Sequence, residues 1–274
     1  MDDVVKVTIF GRDHELQGEM YSRALASARV ALGTSVGVTS KPNEDCVGVS
    51  VSESEMVLAI ADGHWGRDAS QIAVSKAVDL LRTANRPSQD SEIQARLFAL
   101  FEQVNDELYE IATSAPDAPA SETTLIVCYV RQASSGRYLY WSSFGDSYLF
   151  LLRNGELRQL NSLNSFWLGY LSKLSENTDT KSILMRFLFN EAHYVGVASG
   201  LETGIEKLEA GDTVFLCTDG LVGSDREPEP SVLDGIKDIL ISDSPLVSKV
   251  EQIIASALAR DEEDNVSGVM AAIS

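Results

Sequence analysis

Carboxylates stand at the ends of four apolar stretches that are far apart in this sequence. The apolar stretches are short and continuous, which is typical of buried β-strands. A carboxylate beside such a strand is poorly hydrated, so it needs a cation, a proton or a hydrogen-bond cage. Oxygen ligands without a Cys or His cluster suit a hard divalent cation such as Mg²⁺ or Mn²⁺. The acidic turns are Asn43-Glu44-Asp45, Asp62-Gly63-His64, Asp219-Gly220 and Asp264-Asn265.

These turns form one site only if their strands end on the same side of a sheet. Taken alone, Asp62 fits an Asx turn at a strand end as well as it fits a ligand. The repetition of the pattern favours the shared site. Gly63 lets the backbone come close to whatever Asp62 holds, because glycine has no Cβ.

The composition restricts the classes of partner. The chain has 274 residues, 44% of them hydrophobic, and a formal net charge of −19. Such a charge repels phosphate backbones and anionic lipid, so we expect no nucleic-acid partner and no membrane. The acidic start Met1-Asp2-Asp3 is unlike a signal peptide, and Cys46, Cys128 and Cys217 show no paired spacing. We therefore expect a cytoplasmic monomer with reduced, buried thiols.

Hydrophobic periodicity predicts strands followed by a helix pair, twice over, in a single domain spanning residues 1–274. Residues 19–28 fit either a helix or a loop. Residues 161–205 have no clean period and are predicted to be a variable, flap-like insert. Helices are predicted at 68–81, capped by Asp68, at 91–111 with a capping box of Ser91 and Gln94, at 232–240 and at 246–258. The other predicted strands are 4–9, 28–32, 123–130, 137–144, 148–153 and 157–160, with a hairpin turn at Asn154-Gly155.

One short motif indicates a different chemistry. Gly33-Thr34-Ser35-Val36-Gly37 has the spacing of the serine-hydrolase nucleophile elbow, which needs a strand before the serine and a helix after it. The residues that follow start a helix poorly, so we attribute the spacing to chance. The remote alternative is a serine hydrolase that uses Ser35 with Asp146 and His193.

In their order along the chain, the motifs resemble the metal-dependent protein serine/threonine phosphatases, the protein phosphatase 2C-like family. The resemblance covers roughly residues 33–273. It implies an α+β fold, a four-layer αββα sandwich of two packed antiparallel β-sheets flanked by helices. It also implies a hydrolase that acts on phosphoserine and phosphothreonine in a phosphoprotein substrate. The matching motifs are the segments 43–45, 61–66, 217–221 and 264–266, together with Thr123-Thr124 and Gly145-Asp146-Ser147.

The resemblance implies two divalent cations, Mg²⁺ or Mn²⁺, with Asp62 as the carboxylate that bridges them. The Gly63 carbonyl would bind one cation, and Asp219 and Asp264 would bind the other. Asp146 matches a residue associated with a third, weaker site. Two cations that share a water lower its pKa and position it for direct in-line attack on phosphorus, so no protein nucleophile is required.

The same resemblance assigns the residues around the metals. Asp45 would contact metal-bound water, with Glu44 behind it. His64 occupies the position of the general acid that protonates the leaving oxygen. Asn265 follows the last ligand and would support it.

The sequence departs from the family at the position that usually binds the substrate phosphate. An arginine is common three residues before Asn-Glu-Asp, and Ser40 stands there with Lys41 beside it. Trp65 replaces a common glycine, and Asn161-Ser162-Leu163 replaces a common Asp-His-Ser. These changes leave the metal ligands intact and affect substrate binding.

Two further alternatives concern the activity itself. A pseudophosphatase, a regulatory binding module on the same fold, is favoured only by the missing arginine. A cysteine-based phosphatase is excluded, because it needs an arginine six residues after the cysteine. The residues found there are Ser52, Ser134 and Gly223.

Overall fold

The fold is built from two six-stranded antiparallel sheets. The computed structural model describes residues 6–11, 18–24, 28–38, 42–52, 54–82, 89–114, 121–162, 201–223 and 228–274. The first sheet contains, in spatial order, β1 (Lys6–Phe10), β4 (Cys46–Val51), β5 (Glu55–Ala61), β8 (Leu125–Ala133), β9 (Gly136–Phe144) and β12 (Glu202–Leu208). The second contains β11 (Glu156–Gln159), β10 (Tyr148–Arg153), β13 (Thr213–Cys217), β14 (Val266–Ile273), β3 (Ala28–Ser35) and β2 (Gly18–Ala24). A short ribbon of β6 (Gly63–His64) and β7 (Glu122–Thr123) stands apart from both sheets.

Helices cover the outer faces of the two sheets. On the first sheet lie α1 (Asp68–Val78), extended by a 3₁₀ turn at Asp79–Arg82, and α2 (Asp90–Ser114). On the second sheet lie α3 (Pro230–Ile241) and α4 (Leu246–Leu258). The described elements therefore form an α+β sandwich of four layers, as the resemblance implies.

Three apolar cores hold these layers together. The central core lies between the sheets and includes Leu58, Ile126 and Leu216, all fully buried. The outer cores lie between each sheet and its helix pair, with Phe101 in one and Phe215 in the other. Because both faces of the central strands are covered, those strands are continuous apolar runs rather than alternating ones.

The structure differs from the sequence-based prediction mainly at the edges of the sheets. Residues 18–24 form strand β2, neither helix nor loop, and β12 (Glu202–Leu208) begins inside the stretch 161–205 predicted as an insert. Each of these is an edge strand that pairs with a single neighbour. Up to its buried last residue, β12 alternates between partly buried and exposed side chains, and three of its seven residues are charged, so the apolar signal of a buried strand is missing.

Helix ends also differ from the prediction. Arg67, not Asp68, is the N-cap of α1 and makes no side-chain capping bond, and Asp68 lies in the first turn. At the start of α2 the Glu92 carboxylate accepts the Gln89 N–H at 3.2 Å, in place of a capping box at Ser91. The predicted apolar stripe of α2 is buried through Leu108, while Ile111 at its end is exposed.

A set of polar contacts, which we call the edge seam, joins the sheets where β10 and β11 approach β12. The Arg153 guanidinium donates to both carboxylate oxygens of Asp212, at 3.0 Å from Nε and 2.7 Å from Nη2. Asp212 also accepts the Glu209 N–H at 2.8 Å, and Arg158 donates to Glu206 at 2.8 Å. The seam is completed by Ser162, whose N–H and hydroxyl donate to the Glu202 carboxylate at 2.6 and 3.0 Å.

Two sequence expectations outside the site can be compared with the structure. Cys46, Cys128 and Cys217 are free, buried thiols, as expected. Within the described ranges, no helix is both long enough and apolar enough to cross a membrane.

Candidate active site

The turn after β5 holds Asp62 by its backbone. The Asp62 carbonyl accepts the Thr124 N–H at 2.9 Å and the Thr123 hydroxyl at 2.8 Å, and the Asp62 N–H donates to the Thr124 hydroxyl at 3.0 Å. Gly63 pairs with Thr123 in the β6–β7 ribbon. The carboxylate of Asp62 is therefore presented from a backbone that has little freedom to move.

The structure brings the predicted aspartates together. Asp62 is affected electrostatically by Asp45, Asp219, Asp146 and Asp264, although these residues come from five separate parts of the chain. Burial first, and these negative neighbours second, raise the pKa of Asp62 well above its usual value. The prediction that the acidic turns converge at one end of the sandwich is consistent with this arrangement.

Two further carboxyl groups show the same effect. Burial is the largest cause that raises the pKa of Asp45 to about 7, and the negative charge of Asp264 adds to it. Burial followed by the charges of Asp146 and Asp264 raises the pKa of Asp219 to about 8. The side chains of Ser267 and Thr218 act in the opposite direction on the pKa of Asp45. Positive charge delivered to this cluster would be strongly stabilised.

A network of buried hydroxyl groups supports Asp45. The Thr218 hydroxyl donates to Asp45 Oδ2 at 3.0 Å and accepts the Ser267 N–H at 3.1 Å. Thr34 accepts from the Ser267 hydroxyl and from Asn43 Nδ2, both at 2.7 Å. Sequence analysis missed these supporting residues, because isolated Ser and Thr carry no signal until the strands that bear them are placed side by side.

Asn265 contacts Asp264 as expected, and its side chain also holds a second acidic turn. Its side chain accepts the Glu44 N–H at 2.7 Å and donates to the Val36 carbonyl at 3.2 Å, so it ties the Asp45 turn to the end of β3. Its own N–H donates to the Asp264 carboxylate at 2.8 Å. Asn265 thus connects two of the acidic turns.

Glycine is required where these turns pack on one another. A Cβ on Gly63 would lie 2.3 Å from the Glu44 carbonyl oxygen, and one on Gly220 would lie 2.2 Å from that of Asn265. Both distances are far below van der Waals contact. Gly63 is therefore required by the backbone of the neighbouring turn, while its approach to a bound cation stays a prediction.

The donor set fits divalent cations. Asp45 Oδ1 and Asp219 Oδ1 are buried and have no hydrogen-bond partner. Among the described residues, no lysine or arginine forms an ion pair with these aspartates. In the same ranges, no three Asp, Glu, Cys or His side chains are placed so that they could hold a metal ion together without moving. The cluster is thus an open group of oxygen donors with unbalanced negative charge, which is the chemistry that Mg²⁺ and Mn²⁺ require.

His64 and Trp65 lie at the edge of the cluster. His64 Nδ1 is 3.6 Å from Asp62 Oδ1, and the imidazole is 54% exposed. Trp65 is also exposed and has a φ of +59°. An exposed imidazole beside the carboxylates can exchange protons with solvent and with a bound substrate.

Asn161 connects the end of β11 to the Asp62 turn. Its Oδ1 accepts the Leu149 N–H at 2.8 Å, and its Nδ2 donates to the Ser147 carbonyl at 2.9 Å. The Ser147 hydroxyl lies 2.8 Å from the Thr124 hydroxyl that holds the Asp62 N–H. The residue that replaces the family's common aspartate is therefore a buried structural amide.

Some predicted residues are not brought into the site. Ser40, Lys41 and His193 lie outside the described residues. Ser35 is buried at the end of β3, where it pairs with Val266, and the residues after it form a turn that starts no helix. In the described residues around Ser35, 28–38, the strand is followed by a turn and not by the helix that a serine-hydrolase elbow needs.

The four-layer sandwich, with aspartates gathered at one end of it, is the architecture that the motif resemblance implies. The family model of protein phosphatase 2C matches residues 32–266, and the chain belongs to this family. It is a protein serine/threonine phosphatase by that membership.

Individual relatives agree with this assignment. The chain is 30% identical over 238 residues to the serine/threonine phosphatase Stp of Listeria monocytogenes, covering 82% of this chain and 88% of Stp. Its fold is similar to that of the S. agalactiae serine/threonine phosphatase, with a TM-score of 0.65, 22% identity, and coverage of 94% of this chain and 100% of that one. It is also similar to the catalytic domain of PstP in complex with two manganese ions, with a TM-score of 0.65, 24% identity, and coverage of 90% and 98%.

Proposed function

We propose that this protein hydrolyses phosphoserine and phosphothreonine esters in phosphoproteins with the help of two divalent cations held by its aspartate cluster. The observation that carries the proposal is the convergence of buried carboxylates with unpartnered oxygens and without a cationic partner among the described residues. A structural cluster of this kind would be strongly destabilising unless a cation balanced it. The solved PstP domain that contains manganese supports the same choice of metal class.

The proposal assigns the ligands as the resemblance implies. Asp62 and the Gly63 carbonyl would hold one cation, and Asp62, Asp219 and Asp264 the other. Asp45 would orient water at the cations, and Asp146 would contribute to a third, weaker site. Glu44 and Asn265 would keep the Asp45 turn in place, since the Asn265 side chain accepts the Glu44 N–H.

When bound, the cations would supply a water acidic enough to attack phosphorus at neutral pH, together with positive charge against the phosphoryl oxygens. The chain's own residues hold the aspartates in position and supply a proton. Thr123 and Thr124 hold the Asp62 backbone, and Thr218 orients Asp45 through its hydroxyl. His64, exposed beside Asp62, would donate a proton to the seryl or threonyl oxygen as it leaves.

The proposal also covers the organisation of the chain. We propose one catalytic domain spanning residues 1–274 that acts as a monomer on phosphoproteins. The family match from residue 32 to residue 266 is continuous and crosses the predicted insert, which supports a single unit.

Metal removal tests the proposal directly. Hydrolysis of a small aryl phosphate should require Mn²⁺ or Mg²⁺ and disappear in excess chelator. Asp238→Ala removes an exposed carboxylate on α3, away from the aspartate cluster. As the control, this variant should keep full activity with Mn²⁺ and lose it in chelator, as the wild type does. Full activity in chelator would refute the metal mechanism, whereas tight Mn²⁺ binding without turnover would identify a pseudophosphatase.

His64 can be tested through the leaving group. His64→Gln should reduce kcat on phosphothreonine peptides by about 10²-fold or more and affect aryl phosphates much less, because an aryl oxygen leaves without a proton. The measurement is the ratio of the two rates in wild type and variant. An equal loss on both substrates would show that His64 has a structural function only.

A further inference from the structure

Trp65 has a backbone conformation that its side chain disfavours. Its φ of +59° lies in the left-handed region, where a bulky residue costs about 1–2 kcal/mol and glycine costs little. A strained residue persists when the surrounding structure holds it in place, and such residues cluster at functional sites. A strained tryptophan at this position therefore indicates a function for its indole ring.

The loop that carries Trp65 is held on both sides. Before it, Gly63 and His64 pair with Thr123 and Glu122 in the β6–β7 ribbon. After it, the Ser121 hydroxyl donates to the Gly66 carbonyl and accepts the Ala69 N–H. The indole is thus presented from a fixed backbone rather than from a loose loop, which lowers the entropic cost of binding through it.

The position of Trp65 is suited to contact a substrate. The residue is 53% exposed and directly follows His64, whose imidazole lies 3.6 Å from Asp62. An exposed aromatic ring at the edge of a catalytic cluster lies where the residues next to a phosphoserine would pass. A tryptophan that only packed into the hydrophobic core would be buried instead.

The charge of the molecule indicates which side chain such a ring would bind. The chain has 41 acidic and 22 basic residues, and bound divalent cations would leave it strongly negative. A substrate segment with Arg or Lys is attracted to such a surface. Tryptophan is also the side chain whose ring face binds a cation most strongly.

We propose that Trp65 is a specificity-determining residue that stacks on an arginine or lysine side chain flanking the phosphorylated residue. The inference rests on the proposed phosphatase activity, since it places Trp65 beside the catalytic cluster. It assigns a preference for basic phosphopeptides to a single side chain, in addition to the general attraction of the acidic surface.

The test compares three phosphothreonine substrates. One is a peptide with arginine on both sides of the phosphothreonine, the second has glutamine at those positions, and the third is N-acetyl-phosphothreonine amide, which has no flanking residues. The measured quantity is the ratio of kcat/KM for the arginine peptide to that for the glutamine peptide. This ratio separates side-chain recognition from the chemical step.

The variants distinguish the effect of the aromatic ring from the effect of the strained backbone. Trp65→Asn removes the ring but tolerates a positive φ, and Trp65→Phe keeps an aromatic face. Ile241→Asn is the matched control, because Ile241 is 52% exposed at the end of α3. All three leave the net charge unchanged, so general electrostatic attraction is constant across the set.

Wild type should prefer the arginine peptide, and Trp65→Asn should lower the ratio about two- to fivefold. Trp65→Phe should keep most of the preference and Ile241→Asn all of it, and Trp65→Asn should lose less kcat/KM on the flank-free substrate than on the arginine peptide. An unaltered ratio in Trp65→Asn would overturn the inference, and so would an equal loss on the flank-free substrate. Failure of wild type on all three substrates would instead reject the proposed function, and this inference with it.

Discussion

Strand β13 has an aspartate at each end, and the two are in opposite electrostatic settings. At its start, Asp212 is 2% exposed and receives the Arg153 guanidinium on both oxygens as well as the Glu209 N–H. At its other end, Asp219 has a buried oxygen with no partner and a pKa raised to about 8. A carboxylate that stabilises the fold has its counter-charge within the chain, whereas one that serves chemistry leaves its binding capacity open.

The backbone shows the same contrast. At the seam end, the hairpin between β10 and β11 places Asn154 and Gly155 at positive φ, a backbone conformation that both residue types adopt at low energy. At the site end, Trp65 adopts nearly the same φ, which costs conformational free energy because its side chain is bulky. Local sequence and local structure agree at the seam and conflict at the site, which is the expected signature of a functional region.

The largest expected effect comes from neutralising the aspartate at the site end. Asp219→Asn should lower phosphatase turnover on the order of 10³-fold, because the metal ligand charge is lost. The same change should raise the unfolding temperature in chelator at neutral pH, because it removes a buried carboxyl that has to take up a proton when the metal-free chain folds. Activity assays and thermal unfolding of one sample measure both effects. Loss of stability in chelator would contradict the comparison.

The pH dependence of the metal-free protein is the next largest effect. The raised pKa values of Asp45, about 7, and Asp219, about 8, mean that the folded state holds these protons more tightly than the unfolded chain does. Their stabilising contribution is complete below about pH 4 and is lost as the pH rises through 7 to 8. In chelator, the free energy of unfolding should fall by roughly 7 kcal/mol between about pH 5 and about pH 8.5, because each group contributes about 1.4 kcal/mol per pH unit up to its folded pKa.

Urea unfolding at both pH values measures this difference. Saturating Mn²⁺ should remove it, because the cation replaces the protons. An Asp45→Asn, Asp219→Asn double variant should show a flatter profile even in chelator. A metal-free wild type that is most stable near pH 8.5 would show that the carboxylates are not buried against one another.

At the seam end, Asp212→Asn should cost about 2 kcal/mol of unfolding free energy and leave kcat unchanged. The cost is moderate because Arg153 is partly exposed and keeps contacts with Glu206 and the Lys207 carbonyl. Denaturant unfolding with and without the change measures it. Asp234→Asn, which breaks the exposed ion pair with Lys237, is the control and should change nothing measurable. A loss of kcat in Asp212→Asn would show that the two ends of β13 are coupled.

The smallest effect concerns the backbone strain. Trp65→Asn should raise the free energy of unfolding by about 1 kcal/mol, since asparagine tolerates the left-handed region. Asn154→Ala in the hairpin should lower it by a similar amount for the converse reason. Urea unfolding of the two variants tests the pair, and a destabilised Trp65→Asn would mean that indole packing outweighs the strain.

Much of this architecture follows from local patterns in the sequence. Continuous apolar runs located the central strands, and α4 was predicted with the bounds that the structure shows. The edge strands β2 and β12 were missed, because an edge strand gains its stability from one neighbour and needs no apolar run. The seam could not be predicted, since Arg153 and Asp212 meet only after two strands pair.

The candidate site divides in the same way. Asp62 and Asp219 were recognisable because each stands at the end of an apolar strand. The family resemblance supplied their functions. Their convergence depends on strand order, which local patterns do not contain. The supporting functions of Thr218, Thr34 and Asn161 depend on hydrogen bonds between residues far apart in the chain.

The contact between Ser162 and Glu202 has a consequence for protein engineering. It ties the end of β11 to the start of β12, so the two points between which residues 163–200 run are held together by the sandwich itself. The entropy of closing a loop between fixed points rises only slowly with its length. This position is therefore a natural graft point, where a reporter domain or a segment from a relative could be exchanged while the two sheets remain paired.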